Sequence, residues 1–265
     1  MIPYIQELPI WLGLTLVVAS GVLLSTLGTL LVNQIFTPEE LIENNLVGGF
    51  KFAFLAQVVA TLIAFSVVDS ATRFSSFQLK SDREISAISL LTKMETMLAP
   101  GSATLGEARR AYLTSVIERE WPAMADGAAS PETTVALERW YVTAMSVKPE
   151  TPQQTLALAQ YTRIFGQLVE SRLGRLSDSS SPFESIVWTN MLIAVLITIS
   201  FNWFFGSNSL ATQILMGALL SGGVMTLVYL AIVLSSPVRG ELGLKPVSYV
   251  ELLKAGPQPR QPRKD

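Results

Sequence analysis

Four stretches of the chain are apolar all the way round rather than on one face, and the long polar segment among them carries its apolar residues at helical spacing. The first, IWLGLTLVVASGVLLSTLGTLLV, runs from Ile10 to Val32 without a charge, and a bilayer crossing takes about 20 such residues. It is longer than the apolar part of a signal peptide and no Lys or Arg precedes it, so it reads as a retained span. The second, Phe52 to Val68, is charge-free and close to the lower length limit. The third, SIVWTNMLIAVLITISFNWFF from Ser185 to Phe205, has Trp188 near one end and Trp203 near the other, as aromatic belts at two membrane interfaces would require. The fourth, Leu210 to Leu234, follows the short GSNS, so the last two spans form an antiparallel hairpin.

Residues 72–182 read as a polar insert of helices. SDREISAISLLTKMETMLAPG places Ile85, Ile88, Leu91 and Met94 on one helical face and stops at Pro100-Gly101. TLGE at Thr104 has the capping-box pattern, and the helix it opens is expected to end near Glu120-Trp121-Pro122. SPET at Ser130 and TPQQ at Thr151 each put a hydroxyl cap before a proline at the first helical position. The helix after Thr151 shows one face of Tyr161, Phe165, Leu168 or Val169, Leu173 and Leu176, and SDSSSP, Ser177 to Pro182, reads as a linker. No strand pattern competes. The fold expected is all-α: a polytopic membrane protein with four transmembrane helices and a helical cytoplasmic insert between spans two and three. Its divisions are 1–71 for the first two spans, 72–182 for the insert, 183–235 for the last two spans and 236–265 for a C-terminal tail.

Charge orients this arrangement. The loop between the first two spans holds Glu39, Glu40 and Glu43 and no Lys or Arg before Lys51, and GSNS has none. The remaining basic residues lie in the insert or after the fourth span, which puts the insert and both termini in the cytoplasm and the spans in the cell inner membrane. The tail PQPRQPRKD is proline-rich and basic, and its end is expected to be disordered near the cytoplasmic leaflet.

Composition narrows the chemistry. Of 265 residues 49% are hydrophobic and 15% charged, with a mean hydropathy of +0.42; a soluble domain carries about 25% charged residues. A net charge of −2 gives no reason to expect nucleic acid as a partner. Cysteine and histidine are both absent, which removes disulfides, thiolate and imidazole metal sites, and histidine acid–base chemistry. Glu118 and Glu120 point in different directions on a helix and make no acid–base pair. Arg109-Arg110 and Arg172 with Arg175 read as solvated or headgroup-facing. No catalytic residue, cofactor or metal site is expected, and no enzyme activity.

GGFKFAFLAQ, residues 48 to 57, places Lys51 between phenylalanines at the mouth of the second span. There its stem can lie along Phe50 or Phe54 while the ammonium reaches water, as an interfacial anchor or as one member of a cationic ring at a pore mouth. Deeper in the same helix, Gly49, Ala53, Gln57, Ala60, Thr61 and Ala64 form a small and polar stripe. Such a stripe serves either close packing against a neighbouring helix or a water-facing pore wall. Asp69 closes the span as an exposed or paired carboxylate. Gly21 with Ser25, and Gly217 with Ser221, are small residues four apart that let helices approach closely.

NNLVGGFKF at the second span, Glu120-Trp121-Pro122, RLGRL from Arg172 to Leu176, Pro182 and Trp188 entering the third span, and SPVRG from Ser236 to Gly240 follow one another in an order that resembles the bacterial bestrophin-like domain family. The resemblance covers about Asn44 to Pro246. It implies kinship with bestrophins, homopentameric anion channels whose second span lines a narrow neck, so that Gln57 and Thr61 would face a pore. No acidic cluster resembles the bestrophin calcium clasp, and no run of bulky apolar residues on the stripe resembles their neck. The function expected is a homo-oligomeric ion pathway in the lipid bilayer, with an anion as the transported species and Lys51, Ala53, Gln57, Thr61 and Ala64 as pore-lining candidates. The alternative is a non-conducting accessory or scaffold subunit of a membrane complex.

Overall fold

The computed structural model describes residues 2–98, 102–179 and 184–255. The expected stop at Pro100-Gly101, Pro182 and the tail PQPRQPRKD lie outside them. Among the described residues eleven α-helices follow in order: α1 (Ile2–Glu7), α2 (Ile10–Ile35), α3 (Pro38–Glu43), α4 (Asn45–Glu95), α5 (Ser102–Ser115), α6 (Trp121–Ala125), α7 (Pro131–Met145), α8 (Pro152–Ser179), α9 (Glu184–Asn202), α10 (Leu210–Ser235) and α11 (Val247–Ala255), with a π-turn, Val116–Glu120, between α5 and α6. No strand occurs among the described residues. Three helices, α2, α4 and α10, are long and apolar enough to cross a membrane, and Ile186–Asn202 of α9 is a shorter apolar segment.

The chain divides into two compact units, Met1–Arg73 with Pro182–Gly243 and Phe74–Ser181 with Leu244–Asp265. In the first, Val59 and Ile63 of α4, Trp188, Met191, Val195 and Ile199 of α9, and Val228, Ala231 and Ile232 of α10 share one core. α2 lies against α10 at Gly21 and Ser25, which face Met225 and Gly217. A Cβ on Gly217 would sit 2.8 Å from Ser25 Oγ and 2.9 Å from Asn202 Nδ2, so the close approach expected of these residues is present. Both tryptophans of the third stretch pack against protein. Trp188 is buried in the core, and the Trp203 ring fills the place a side chain on Gly28 would take.

Polar side chains tie the loops of this unit. Thr37 caps α3 in a complete capping box with Glu40. The Asn45 side chain donates to Gly206 O at 2.9 Å and accepts from Gly206 N at 3.0 Å, joining the start of α4 to the α9–α10 loop. Gly206 itself runs so close that a Cβ would meet Ile42 N at 2.6 Å. Gln6 Nε2 donates to Ile232 O at 2.7 Å and Ser235 Oγ at 3.0 Å. In SPVRG, Gly240 takes a left-handed φ of 74° with Gln6 O beside it, where no side chain fits.

α4 is one helix of 51 residues, running without a break from the second apolar stretch through the segment that begins at Ser81. No Gly or Pro interrupts it between Phe50 and Glu95. In the second unit, the caps at Ser130 and Thr151 form as expected, Thr133 N donating to Ser130 Oγ and Gln154 N to Thr151 Oγ1, each at 3.2 Å. α5 is already helical at Ser102, two residues ahead of the expected cap. α5 closes at Ser115, and the helical run goes on through the π-turn and past Glu120-Trp121-Pro122 into α6. Trp121 N donates five residues back to Val116 O, and this wider turn accommodates Pro122, which lacks an N–H and would crowd an ordinary helical turn. α8 extends to Ser179, so Ser177–Ser179 are helix and not linker.

Candidate functional site

The five pore-lining candidates all lie on α4, and all five are exposed or half-buried. At 3.6 residues per turn, Ala53, Ala64, Gln57 and Thr61 fall within about 80° of one another, on the side away from Val59 and Ile63, while Lys51 lies about 120° round from Gln57. The stripe is therefore one face, with Lys51 at its flank. Thr61 Oγ1 donates to Gln57 O at 2.8 Å, and Gln57 Nε2 reaches Thr61 Oγ1 at 3.4 Å. Phe50, Phe54 and Phe65 are 70–76% exposed. Phe50 falls inside the stripe's arc, between Gln57 and Thr61, and Phe54 and Phe65 lie about 60° and 80° round from Gln57, so bulky apolar residues share a face that reads as lacking them. Asp69 pairs with Arg73 at 3.1 Å.

The second unit holds a charged core that the sequence does not announce. Glu84 of α4, Glu120 of the π-turn and Arg175 of α8 are fully buried, and Arg172 nearly so. Arg175 Nε donates to Glu84 Oε2 at 2.8 Å and its Nη2 to Glu120 Oε2 at 2.8 Å. Arg172 Nε donates to Glu120 Oε1 at 3.0 Å, and Arg172 Nη2 to the same carboxylate and to Thr134 Oγ1. Tyr112 OH donates to Glu84 Oε1 at 2.6 Å. The Arg175 guanidinium lies 5.4 Å from the Trp121 ring and 5.6 Å from that of Tyr249 on α11. Trp121 Nε1 donates to Leu244 O at 3.0 Å, so the segment after the last long helix completes this core. Burial, the largest single influence, would lower the Arg175 pKa, but Glu84, Tyr249 and Glu120 together more than offset it and hold the cation well above its ordinary value.

The solvated reading of Arg109, Arg172 and Arg175 is therefore overturned; of the four arginines only Arg110 is exposed. The buried face of α8 runs Tyr161, Ile164, Phe165, Leu168, Arg172, Arg175, while Leu173 is 58% exposed and Leu176 half-buried. Two cations continue an apolar stripe because buried carboxylates face them. Glu118 is exposed while Glu120 is buried, so the two acids do point apart. A second buried pair closes α4: Arg109 Nε donates to both oxygens of Glu95 at 3.2 Å. Burial raises the Glu95 carboxyl from 4.5 to about 7, against the smaller opposing pull of Arg109.

A model of the Bestrophin-like domain matches residues 20–249. The chain belongs to that family. A solved bacterial bestrophin homolog from Klebsiella pneumoniae, crystallised as a tryptophan-to-alanine variant, is similar in fold, with a TM-score of 0.64 at 12% identity. The likeness covers 90% of this chain and 94% of that one. No curated protein matches. This bestrophin-like chain is thus an all-α membrane protein of the bestrophin type, and its exposed α4 face belongs to a helix that the family match includes.

Proposed function

We propose that the chain forms a homo-oligomeric ion pathway lined by the α4 face of Ala53, Gln57, Thr61 and Ala64, with anions as the transported species. The observation that carries this reading is that Gln57, within the apolar stretch Phe52–Val68, is exposed on the single chain. An amide facing hydrocarbon without partners costs about 4–8 kcal/mol on the water-to-cyclohexane scale, and Thr61 Oγ1 at 3.4 Å relieves little of that. The cost disappears if copies of α4 surround water, where the amide and hydroxyl replace part of an ion's hydration. Lys51 at the flank of this face would raise the anion concentration at the mouth. The family's kinship with bestrophins supports the same assignment. The arrangement we infer has four spans in the inner membrane, with the second unit and both termini on the cytoplasmic side, as the basic residues suggest.

Native mass in mild detergent tests the reading. A closed ring of identical copies supports it. A monomer, or a stable complex with a different polypeptide, sinks it and favours a non-conducting accessory subunit.

A further inference from the structure

Two surfaces of the second unit remain uncovered by the described part of that unit. One is a groove between α4 and α8 with about 710 Å³ of space. Its floor is small, Ala87 and Ser171, with the Lys80 side chain lying across Gly174 at one end, and its rim on α4 is Leu79, Ser86 and Leu90, all exposed. Small residues on the floor let another helix come close. The other surface is a ridge on α7, where Val135 and Val142 are 55% and 65% exposed and Met145 follows at 38%.

We infer that these surfaces meet between copies, the α7 ridge of one copy lying in the α4–α8 groove of the next. The inference rests on the homo-oligomeric reading and names the contact it requires. Length is the first argument. From Leu79 to Leu90 the groove spans about 16 Å of helix, and from Val135 to Met145 the ridge spans about 15 Å. Charge is the second. The groove carries Asp82, Arg83 and Glu170, and the ridge carries Glu138 and Arg139 between its two valines. None of these five forms an ion pair among the described residues. Each surface offers both signs, so Arg83 can meet Glu138 while Arg139 meets an acid of the groove. Exposed pairs of this kind fix register more than they add affinity. The third argument is topological. Ridge and groove are different patches of one unit, so their contact is head-to-tail, the kind that builds a ring of identical copies when its rotation closes.

The chain has no cysteine, which makes cross-linking of the full-length protein in membranes a clean test. In the Leu90→Cys/Val142→Cys double variant, mild oxidation should give a ladder of covalent multimers on a non-reducing gel, while each single variant stays monomeric there. As a second measurement, Arg83→Glu should lower the native mass in detergent, and adding Glu138→Arg should restore it. If the unmodified protein is a closed ring but the double variant gives no ladder, this contact is wrong and the oligomeric reading survives. A covalent dimer from either single variant also overturns it, since the copies would then meet face to face. A monomeric unmodified protein overturns both.

Discussion

Replacing Arg175 with methionine removes the side chain that holds both Glu84 and Glu120. Arg172 still pairs with Glu120, so the damage falls on Glu84, a fully buried carboxylate left with the Tyr112 hydroxyl. Removing one partner of a buried pair costs about 3–5 kcal/mol, because the remaining charge has neither water nor a counter-ion. The lost cation–π contact with Trp121 adds about 0.5–2 kcal/mol. With about 2–4 °C of melting temperature per kcal/mol in a domain of this size, Arg175→Met should melt about 7–28 °C lower. Circular dichroism of the protein in one detergent, at one scan rate and a fixed, mildly alkaline pH, reads the shift. The sharper readout is the double variant. Adding Glu84→Gln replaces the orphaned charge with a neutral amide that is cheaper to bury, so Arg175→Met/Glu84→Gln should melt above Arg175→Met alone. A loss of under about 3 °C, or a double variant less stable than the single, would refute the view that these charges form the core of the second unit.

Further expectations follow from other sites. Glu95 has a folded pKa of about 7, above its ordinary 4.5, so the folded form holds the proton more tightly. Its contribution is full below about pH 4.5 and is lost as pH rises through about 7. Glu95→Gln should therefore flatten the fall in melting temperature between about pH 5 and pH 8, and an unchanged slope would count against the assignment. A methyl on Gly28 meets the rigid Trp203 ring, whereas one on Gly21 meets the flexible Met225 side chain. Gly28→Ala should cost about 1–3 kcal/mol by overpacking and Gly21→Ala less, and the reverse order in thermal melts would contradict the packing. Asn45→Ala strips both hydrogen bonds from Gly206 and should cost about 1–3 kcal/mol in the same melts.

Three of the four apolar stretches were legible as long helices because a charge-free run of about 17 residues or more leaves no polar face to break them; α2, α4 and α10 include those stretches, while the third coincides with the shorter apolar segment of α9. The hydroxyl caps at Ser130 and Thr151 were legible for a similar reason, since a cap is a local interaction between neighbours in sequence. The charged core was not. Arg172 and Arg175 sit where the stripe of Tyr161, Ile164, Phe165 and Leu168 continues, but their partners lie 52–91 residues away. A helix pattern contains nothing about those partners, so cations read as solvated by default. The available signal was spacing: Leu168, Arg172 and Arg175 follow the i, i+4, i+7 rhythm of a buried face. The α4 stripe was visible as composition, but which residues share a face with it needed the angles, and these bring in Phe50, Phe54 and Phe65. Whether a second copy or water meets that face lies beyond one chain's sequence.

Substituted-cysteine accessibility in reconstituted bilayers tests the central claim most directly, because the chain is free of native thiols. Single cysteines at Ala53, Gln57, Thr61 and Ala64 should each let a hydrophilic, membrane-impermeant thiol reagent block an anion current, while cysteines at Val59 and Ile63, buried in the first unit, should not. A protein that carries no current, or a current indifferent to the reagent at all four stripe positions, would contradict the account.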